Sequence, residues 1–200
     1  MGVLISTGLE VLASALVFVP LYLVLNKRLF QSPARSVFCC IFSLYLAAVY
    51  TLVGIPNVTY IRFAPKLNLI PFVDMMRVFR SSFLNVLLFI PLGAMLPLGW
   101  GNYRKTGKSL LFGFLMSLTI ELLQMFTYRA TDVNDLITNT LGTFLGFVAG
   151  RLVMKTVPEL ESLIGEGTKR ELLQVCGISF AVMFFVHPFL SAGMWNWIYS

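Results

Sequence analysis

The sequence predicts an all-α fold: a polytopic transmembrane helical bundle of about six spans, with a short interfacial amphipathic helix before the third span. Three observations predict it. Hydrophobic residues make up 58% of the 200 residues, only 12% are charged, and the mean hydropathy is +0.83. A soluble domain of this length could not bury so much apolar surface, so we expect an integral membrane protein.

The apolar runs define the spans. They cover about 3–25, 36–55, 84–100, 109–127, 136–154 and 172–192, each near the roughly 20 residues that a helix needs to cross a bilayer. We divide the chain into N-terminal transmembrane helices (1–60), a core of the interfacial segment plus three spans (61–155), and a cytoplasmic connection with a C-terminal transmembrane helix (156–200). The first run has no basic n-region and fills most of a bilayer, so we interpret it as an anchor and not a cleaved signal peptide. Glu10 interrupts this run and Pro188 interrupts the last, which leaves the exact boundaries of these two spans open.

The distribution of basic residues predicts the orientation. Loops 26–35, 101–108 and 151–171 carry ten positive side chains, and the opposite connections carry five. The positive-inside bias therefore places the first set in the cytoplasm and both termini outside. Because the basic residues sit in short loops between apolar runs, the net charge of +6 encodes orientation and does not indicate a nucleic-acid partner. The first set is Lys27, Arg28, Arg35, Arg104, Lys105, Lys108, Arg151, Lys155, Lys169 and Arg170; the second is Arg62, Lys66, Arg77, Arg80 and Arg129.

The connection before the third span has two parts. Its first part, "IPNVTYIRFAPKLNLIPF", holds three prolines and cannot form one regular helix. Its second part places apolar side chains at helical spacing from Phe72 to Phe83, with Asp74, Arg77 and Arg80 between them. This pattern favours an amphipathic helix in the membrane interface; the alternative is a solvated loop with chance periodicity.

The stretch "SLTIELLQMFTYRATDVNDLITNTLG" (117–142) predicts a helical hairpin that carries polar groups into the membrane. Its first helix rises from the cytoplasmic side at about residue 109, so Glu121 lies roughly 18 Å up, at about 1.5 Å per residue. Ser117 and Gln124 share its face, and the descending helix stacks its own polar side chains on one face. With Asn85 at the outer start of the third span, we expect one outward-facing site in the outer leaflet. The descending face carries Asp132, Asp135 and Asn139.

Each of these residues also has a purely structural interpretation. Glu121 could be a polar clamp between helices, satisfied by Asn85, Asn139 or Arg129, although an acid within a span costs about 2.5–3.5 kcal/mol and is a functional hypothesis by default. Asp132 and Asp135 could cap the descending helix and complement its dipole. The glycines further along the same face are best explained as a small-residue stripe for helix packing; they are Gly142, Gly146 and Gly150.

Four ordered motifs resemble the VanZ-like family of bacterial membrane proteins. They are "NLIPF" (68–72), "NVLLFIPLG" (85–93), "SLTIELLQ" (117–124) and "RATDVNDLITNTLGTFLG" (129–146), and the resemblance covers about residues 68–150. The family is associated with resistance to teicoplanin and related lipoglycopeptides in Gram-positive bacteria, without an established reaction. The resemblance implies that the motif residues form a functional site; they are Asn68, Asn85, Glu121, Gln124, Arg129, Asp132, Asp135 and Asn139.

Two classes of function follow from these residues. In the first, an intramembrane enzyme modifies a lipid or a lipid-linked cell-wall precursor, with Glu121, Asp135 and Asp132 as acid–base groups. Arg129, together with Arg77 or Arg80, would hold an anionic head group, and Gln124, Asn139, Asn85 and Asn68 would complete the substrate site. In the second, a non-catalytic protein binds a lipid or the antibiotic and alters what the surface presents.

No cofactor is required by either class, although oxygen ligands at Glu121, Asp132 and Asp135 could hold a divalent cation. No cluster of His and Cys supports zinc: we expect His187 to be structural and the three cysteines to pack as small hydrophobes. The sequence does not determine the oligomeric state. The cysteines are Cys39, Cys40 and Cys176.

Overall fold

The computed structural model describes residues 2–26, 32–68, 70–71 and 79–199, and helices dominate this part of the chain. The predicted all-α fold class is therefore confirmed. Two strands of two residues each, β1 (Leu67–Asn68) and β2 (Thr131–Asp132), form a parallel pair. The helices are α1 (Gly2–Leu25), α2 (Pro33–Val53), α3 (Phe79–Gly99), α4 (Thr106–Gln124), α5 (Val133–Thr156), α6 (Pro158–Ile164), α7 (Lys169–Ala181) and α8 (His187–Tyr199).

Six helical segments in the described part of the chain are long and apolar enough to cross a membrane. They match the six predicted runs, so the protein is a multi-pass membrane protein. Pro188 does not end the last segment, since it lies in the first turn of α8. A π-helical turn (Val182–Val186) joins α7 to α8 without a break. The segments are Ser6–Leu25, Pro33–Val53, Ser81–Gly99, Thr106–Gln124, Val133–Thr156 and Lys169–Ile198.

The connection before α3 is irregular over residues 61–66, as its prolines predicted. The predicted interfacial helix falls largely on residues 72–78, which lie outside the described residues, and α3 begins at Phe79. The interfacial position of this segment therefore stays a prediction.

The chain forms two compact units. The first contains residues 1–61 and 170–200, and the second contains residues 62–169. In the first unit, α1 packs against α2 and α8. Hydroxyl groups join α1, α2 and α7 in the interior: Tyr22 Oη lies 2.7 Å from Ser43 Oγ, and Ser179 Oγ donates to Ser43 Oγ at 2.9 Å.

In the second unit, α5 is the central helix and packs against α3 and α4. The predicted glycine stripe lies where α5 meets α3: a Cβ added at Gly142, Gly146 or Gly150 would collide with the backbone carbonyl oxygen of Val86, Ile90 or Ala94, respectively. The packing interpretation of these glycines is therefore confirmed. The two backbones can approach this closely only because no side chain separates them.

Gly146→Leu is therefore expected to destabilise the second unit. The new side chain would meet the backbone of Ile90 and Ala94, which cannot move aside as a flexible side chain could, so we expect a loss of about 1–3 kcal/mol or more. The measurement is the amount of protein in membranes and its melting temperature in detergent. Gly177→Leu is the matched control, because a Cβ at Gly177 meets no atom within 4 Å; equal yields of both variants would contradict the expectation.

The orientation stays a prediction that labelling can test. Lys105 and Ser162 are exposed and lie in loops predicted to be cytoplasmic, whereas the exposed Ala130 lies at the other end of α4. In a chain lacking its native cysteines, we expect an impermeant thiol reagent to label Ala130→Cys in intact cells. Lys105→Cys and Ser162→Cys should react only after the cells are broken, and the reverse pattern would invert the predicted orientation.

Candidate functional site

One buried face of α4 carries the polar residues of the predicted hairpin. Ser117, Glu121 and Gln124 are spaced by four and three residues, so they lie on the same side of the helix. All three are buried, and Glu121 is only 2% exposed. The polar face that the spacing predicted is therefore buried within the protein.

Glu121 holds the chain that turns from α4 into α5. Its Oε2 atom accepts a hydrogen bond of 2.8 Å from the backbone N–H of Asp132, and its backbone carbonyl accepts one of 3.0 Å from Thr131 Oγ1. The carboxylate therefore fixes the entry of α5. This contact is different from the side-chain clamp that the sequence suggested, since its donor is a backbone group.

Asp132 is the N-cap of α5. Its Oδ1 atom accepts a hydrogen bond of 2.8 Å from the backbone N–H of Asn134, which satisfies one of the free donors of the first turn. Its Oδ2 atom accepts a second bond of 3.0 Å from Asn68 Nδ2. The pairing of β1 with β2 sets Asn68 opposite Asp132, so a residue far away in sequence becomes part of the site.

Asp135 and Asn139 follow on the descending face of α5. The half-buried Asp135 carboxylate is hydrogen-bonded to the Asn85 side chain of α3. One turn further along, Asn139 is 3% exposed and donates from Nδ2 to Ser117 Oγ at 2.8 Å. The Oδ1 atom of Asn139 is buried and has no hydrogen-bond partner among the described residues, so it is an open acceptor within the site.

Arg129 supplies a positive charge at the exposed edge of this cluster. Its side chain is exposed, and its charge acts on the carboxylates of both Glu121 and Asp135. The same two carboxylates also interact with the negative charge of Asp132. Three acids and one arginine thus share one electrostatic environment, with the arginine on the outside and Glu121 deepest.

An extended segment lies along the α4–α5 connection and completes the site. Backbone N–H groups of Arg62 and Ala64 donate to the carbonyls of Phe126 and Met125 at 3.0 Å each, and Thr131 N donates to Lys66 O at 2.8 Å. The Arg62 guanidinium lies over the Tyr128 ring, 5.1 Å from its centroid. This contact could not be predicted from side-chain patterns, because its hydrogen bonds are between backbone groups that all residues except proline have.

The structure therefore brings most of the predicted site residues together within the second unit. Arg77 lies outside the described residues, and Arg80 is placed only as part of the first turn of α3. In the described part of the chain, no group of three or more His, Cys, Asp or Glu side chains is arranged to hold a metal ion, and the divalent cation stays a prediction. The residues brought together are Asn68, Asn85, Glu121, Gln124, Arg129, Asp132, Asp135 and Asn139.

Comparison with known proteins covers the same region. The sequence model of the VanZ/LLP1 family matches residues 36–154. Protein VanZ of Enterococcus faecium is 43% identical over 84 residues, which are 40% of this chain and 50% of that protein. The chain thus aligns with about half the length of this curated relative. No solved structure shows a significant match.

Proposed function

The chain belongs to the VanZ/LLP1 family, and we propose that it contributes to resistance to teicoplanin and related lipoglycopeptides through the polar site of α4 and α5. The identity with Protein VanZ supports this proposal, as does the position of the site within the region that the family shares. The proposed action is on a membrane lipid or a lipid-linked cell-wall precursor.

The observation that carries the proposal is the buried carboxylate of Glu121 beneath the exposed Arg129. Placing an acid in a membrane span costs about 2.5–3.5 kcal/mol, and a hydrogen bond to one backbone N–H would not require a charge. A cation at the mouth and acids behind it suit a lipid whose anionic head group binds Arg129. The acids then lie where a polar part of the same head group would enter.

The proposed chemistry is proton transfer. Glu121 or Asp135 would accept a proton from the bound head group or return one to it, and Asp132 would hold the turn that aligns them. Asn85 and Asn68 are already hydrogen-bonded to Asp135 and Asp132, so they keep these carboxylates in place. Gln124 and the open Oδ1 of Asn139 would orient the remaining polar groups of the ligand.

The outer leaflet is the proposed place of action. Its support is the count of basic residues, which places the α4–α5 connection outside.

A non-catalytic binder is the second candidate, and one observation favours it. Ser117 is the hydroxyl nearest in sequence to Glu121 on the same face, and its Oγ accepts a hydrogen bond from Asn139. Ser117 thus has a structural partner, and no hydrogen bond among the described residues joins its Oγ to the Glu121 carboxylate to activate it as a nucleophile. In this version, the protein holds a lipid or the antibiotic and changes what the cell surface presents.

Lipid extracts distinguish the two candidates. Membranes of cells with and without the protein are compared by mass spectrometry, and lipids that remain on the purified protein are identified in parallel. A wall precursor or phospholipid that is gained or lost supports the enzyme. Unchanged lipids with one species retained on the protein support the binder, and neither change would contradict the proposed action on lipids.

A further inference from the structure

A second polar cluster lies in the first unit, outside the residues that the family model matches. It joins Glu10 near the start of α1 to three residues of α8. Glu10 Oε1 accepts hydrogen bonds from Ser191 Oγ at 2.8 Å and from Trp195 Nε1 at 2.9 Å. Glu10 Oε2 lies 3.0 Å from His187 Nε2, which also lies 3.2 Å from the Glu10 backbone carbonyl. His187 thus contacts both the carboxylate and the backbone of Glu10. The expectation that it is structural does not explain why an acid lies beside it.

The π-helical turn before α8 explains how His187 and a loop come to face Glu10. Pro188 has no N–H, so it cannot donate to the carbonyl of Phe184 four residues earlier. That carbonyl instead accepts a hydrogen bond of 3.0 Å from the backbone N–H of Val58, while His187 N donates to Val182 O in the π pattern. The loop after α2 is thus pinned to the irregular turn, and such turns are frequent at functional sites.

A cavity of about 380 Å³ lies between this loop, α1, α2 and α8. Its wall includes Glu10, Tyr50, Thr51, Asn57 and His187, and no Lys or Arg is among the described residues that line it. The Asn57 Oδ1 atom is already occupied, since it accepts bonds from both the N–H and the hydroxyl of Thr59. With His187 neutral, the charged side chain among these described lining residues is the carboxylate of Glu10.

Two acceptor atoms in the wall have capacity left. Glu10 Oε2 is buried and accepts no hydrogen bond among the described residues, although His187 Nε2 lies 3.0 Å away; a carboxylate oxygen can accept about two hydrogen bonds. Thr51 Oγ1 is buried and has no hydrogen-bond partner among the described residues. A ligand that donates hydrogen bonds and carries a positive charge would satisfy both atoms, whereas an anion would be repelled by Glu10.

We propose that this cavity binds an organic ammonium group, with Glu10 as its counter-ion and Thr51 as a further acceptor. An alkylammonium carries three N–H donors. Two of them would donate to Glu10 Oε2 and Thr51 Oγ1, and the third would remain free for water or another acceptor. Ser191 and Trp195 hold the carboxylate in place through Oε1, while His187 Nε2 is hydrogen-bonded to the Glu10 backbone carbonyl. The ammonium group could come from the head group of an aminophospholipid or from a soluble amine.

The test uses the full-length protein in detergent and three probes. Native mass spectrometry measures binding of phosphatidylethanolamine and of N-acetylated phosphatidylethanolamine with the same acyl chains, which lacks the positive charge. Thermal stabilisation measures binding of ethanolamine alone. We expect a preference of about tenfold or more for a probe with the ammonium group, equivalent to about 1.4 kcal/mol. A lipid preference without a response to ethanolamine assigns the source to the lipid, and stabilisation by ethanolamine without a lipid preference assigns it to a soluble amine.

Two variants locate the binding. Glu10→Gln keeps an acceptor for Ser191 and Trp195 but removes the charge, and we expect it to abolish the preference. Thr51→Val replaces a hydroxyl with a methyl group and should weaken binding about threefold to tenfold, the range for one hydrogen bond. If Glu10→Gln fails to fold, Thr51→Val alone tests the proposal. Glu159→Gln, an exposed acid of the second unit, is the control for net charge. Equal binding of both lipids without a response to ethanolamine would overturn the proposal, and so would wild-type binding by folded variants of both residues.

Discussion

Glu121→Gln should accumulate in the membrane at near-normal levels and yet lose protection against teicoplanin. Glutamine keeps an oxygen that can accept the Asp132 N–H, so the turn into α5 should survive at a cost of about 1–2 kcal/mol. It cannot exchange a proton or carry the charge that interacts with Arg129. Removal of a general acid or base typically lowers a rate about 100-fold or more, so survival in the antibiotic should fall to that of cells without the gene.

Asp135→Asn should behave in the same way, because it retains a hydrogen-bonding partner for Asn85 while losing the charge. The measurements are the minimal inhibitory concentration of teicoplanin and, on the same cells, the amount of protein by immunoblot. Glu161→Gln is a suitable control, since this acid pairs with Arg104 outside the site. Wild-type protection from both site variants at matched protein levels would leave the two acids as scaffolding only.

Glu171→Ala should cause the largest loss of stability in the first unit. Glu171 and Arg35 form an ion pair between the first turns of α7 and α2, and the side chain of Arg35 is only 6% exposed. Removing the acid takes the Glu171 carboxylate away from a buried guanidinium, and breaking a buried ion pair in this way costs about 3 kcal/mol. Thermal unfolding in detergent, followed by the remaining monodisperse fraction, measures the change.

The double variant Arg35→Leu with Glu171→Leu removes both charges. It therefore measures the net contribution of the ion pair without the cost of burying one charge alone. Two apolar side chains remove both charges at once, and such replacements are often neutral or stabilising where they pack well. We therefore expect the double variant to recover most of the stability that Glu171→Ala loses. A double variant less stable than Glu171→Ala would mean that the ion pair contributes net stability of its own.

Span number and span position followed from hydropathy alone. Since a bilayer offers no hydrogen-bond partners to the backbone, each apolar run of sufficient length must be a helix, and the structure has six such segments where the runs predicted them. The same logic placed Glu121 on the buried face of α4 and assigned the glycines of α5 to close packing. These inferences needed only local composition and the 3.6-residue period.

The partners of the polar atoms were not predictable in this way. The sequence offered Asn85, Asn139 and Arg129 as partners of Glu121, but the hydrogen bond goes to the backbone N–H of Asp132. Asn68 reached the site only through pairing of β1 with β2, and Glu10 met His187 only through the packing of α1 against α8.

The sequence by itself therefore determined that this is a membrane protein, its all-α class, its spans and the faces on which polar residues lie. Tertiary structure alone decided which polar atom bonds to which, and so where the cavities are. The physical reason is that burial in a membrane depends on the summed hydropathy of many neighbouring residues, which is a local property. A hydrogen bond depends on placing two atoms within about 3 Å of each other, and residues as far apart in sequence as Glu10 and Trp195 are placed only by the packing of the whole unit.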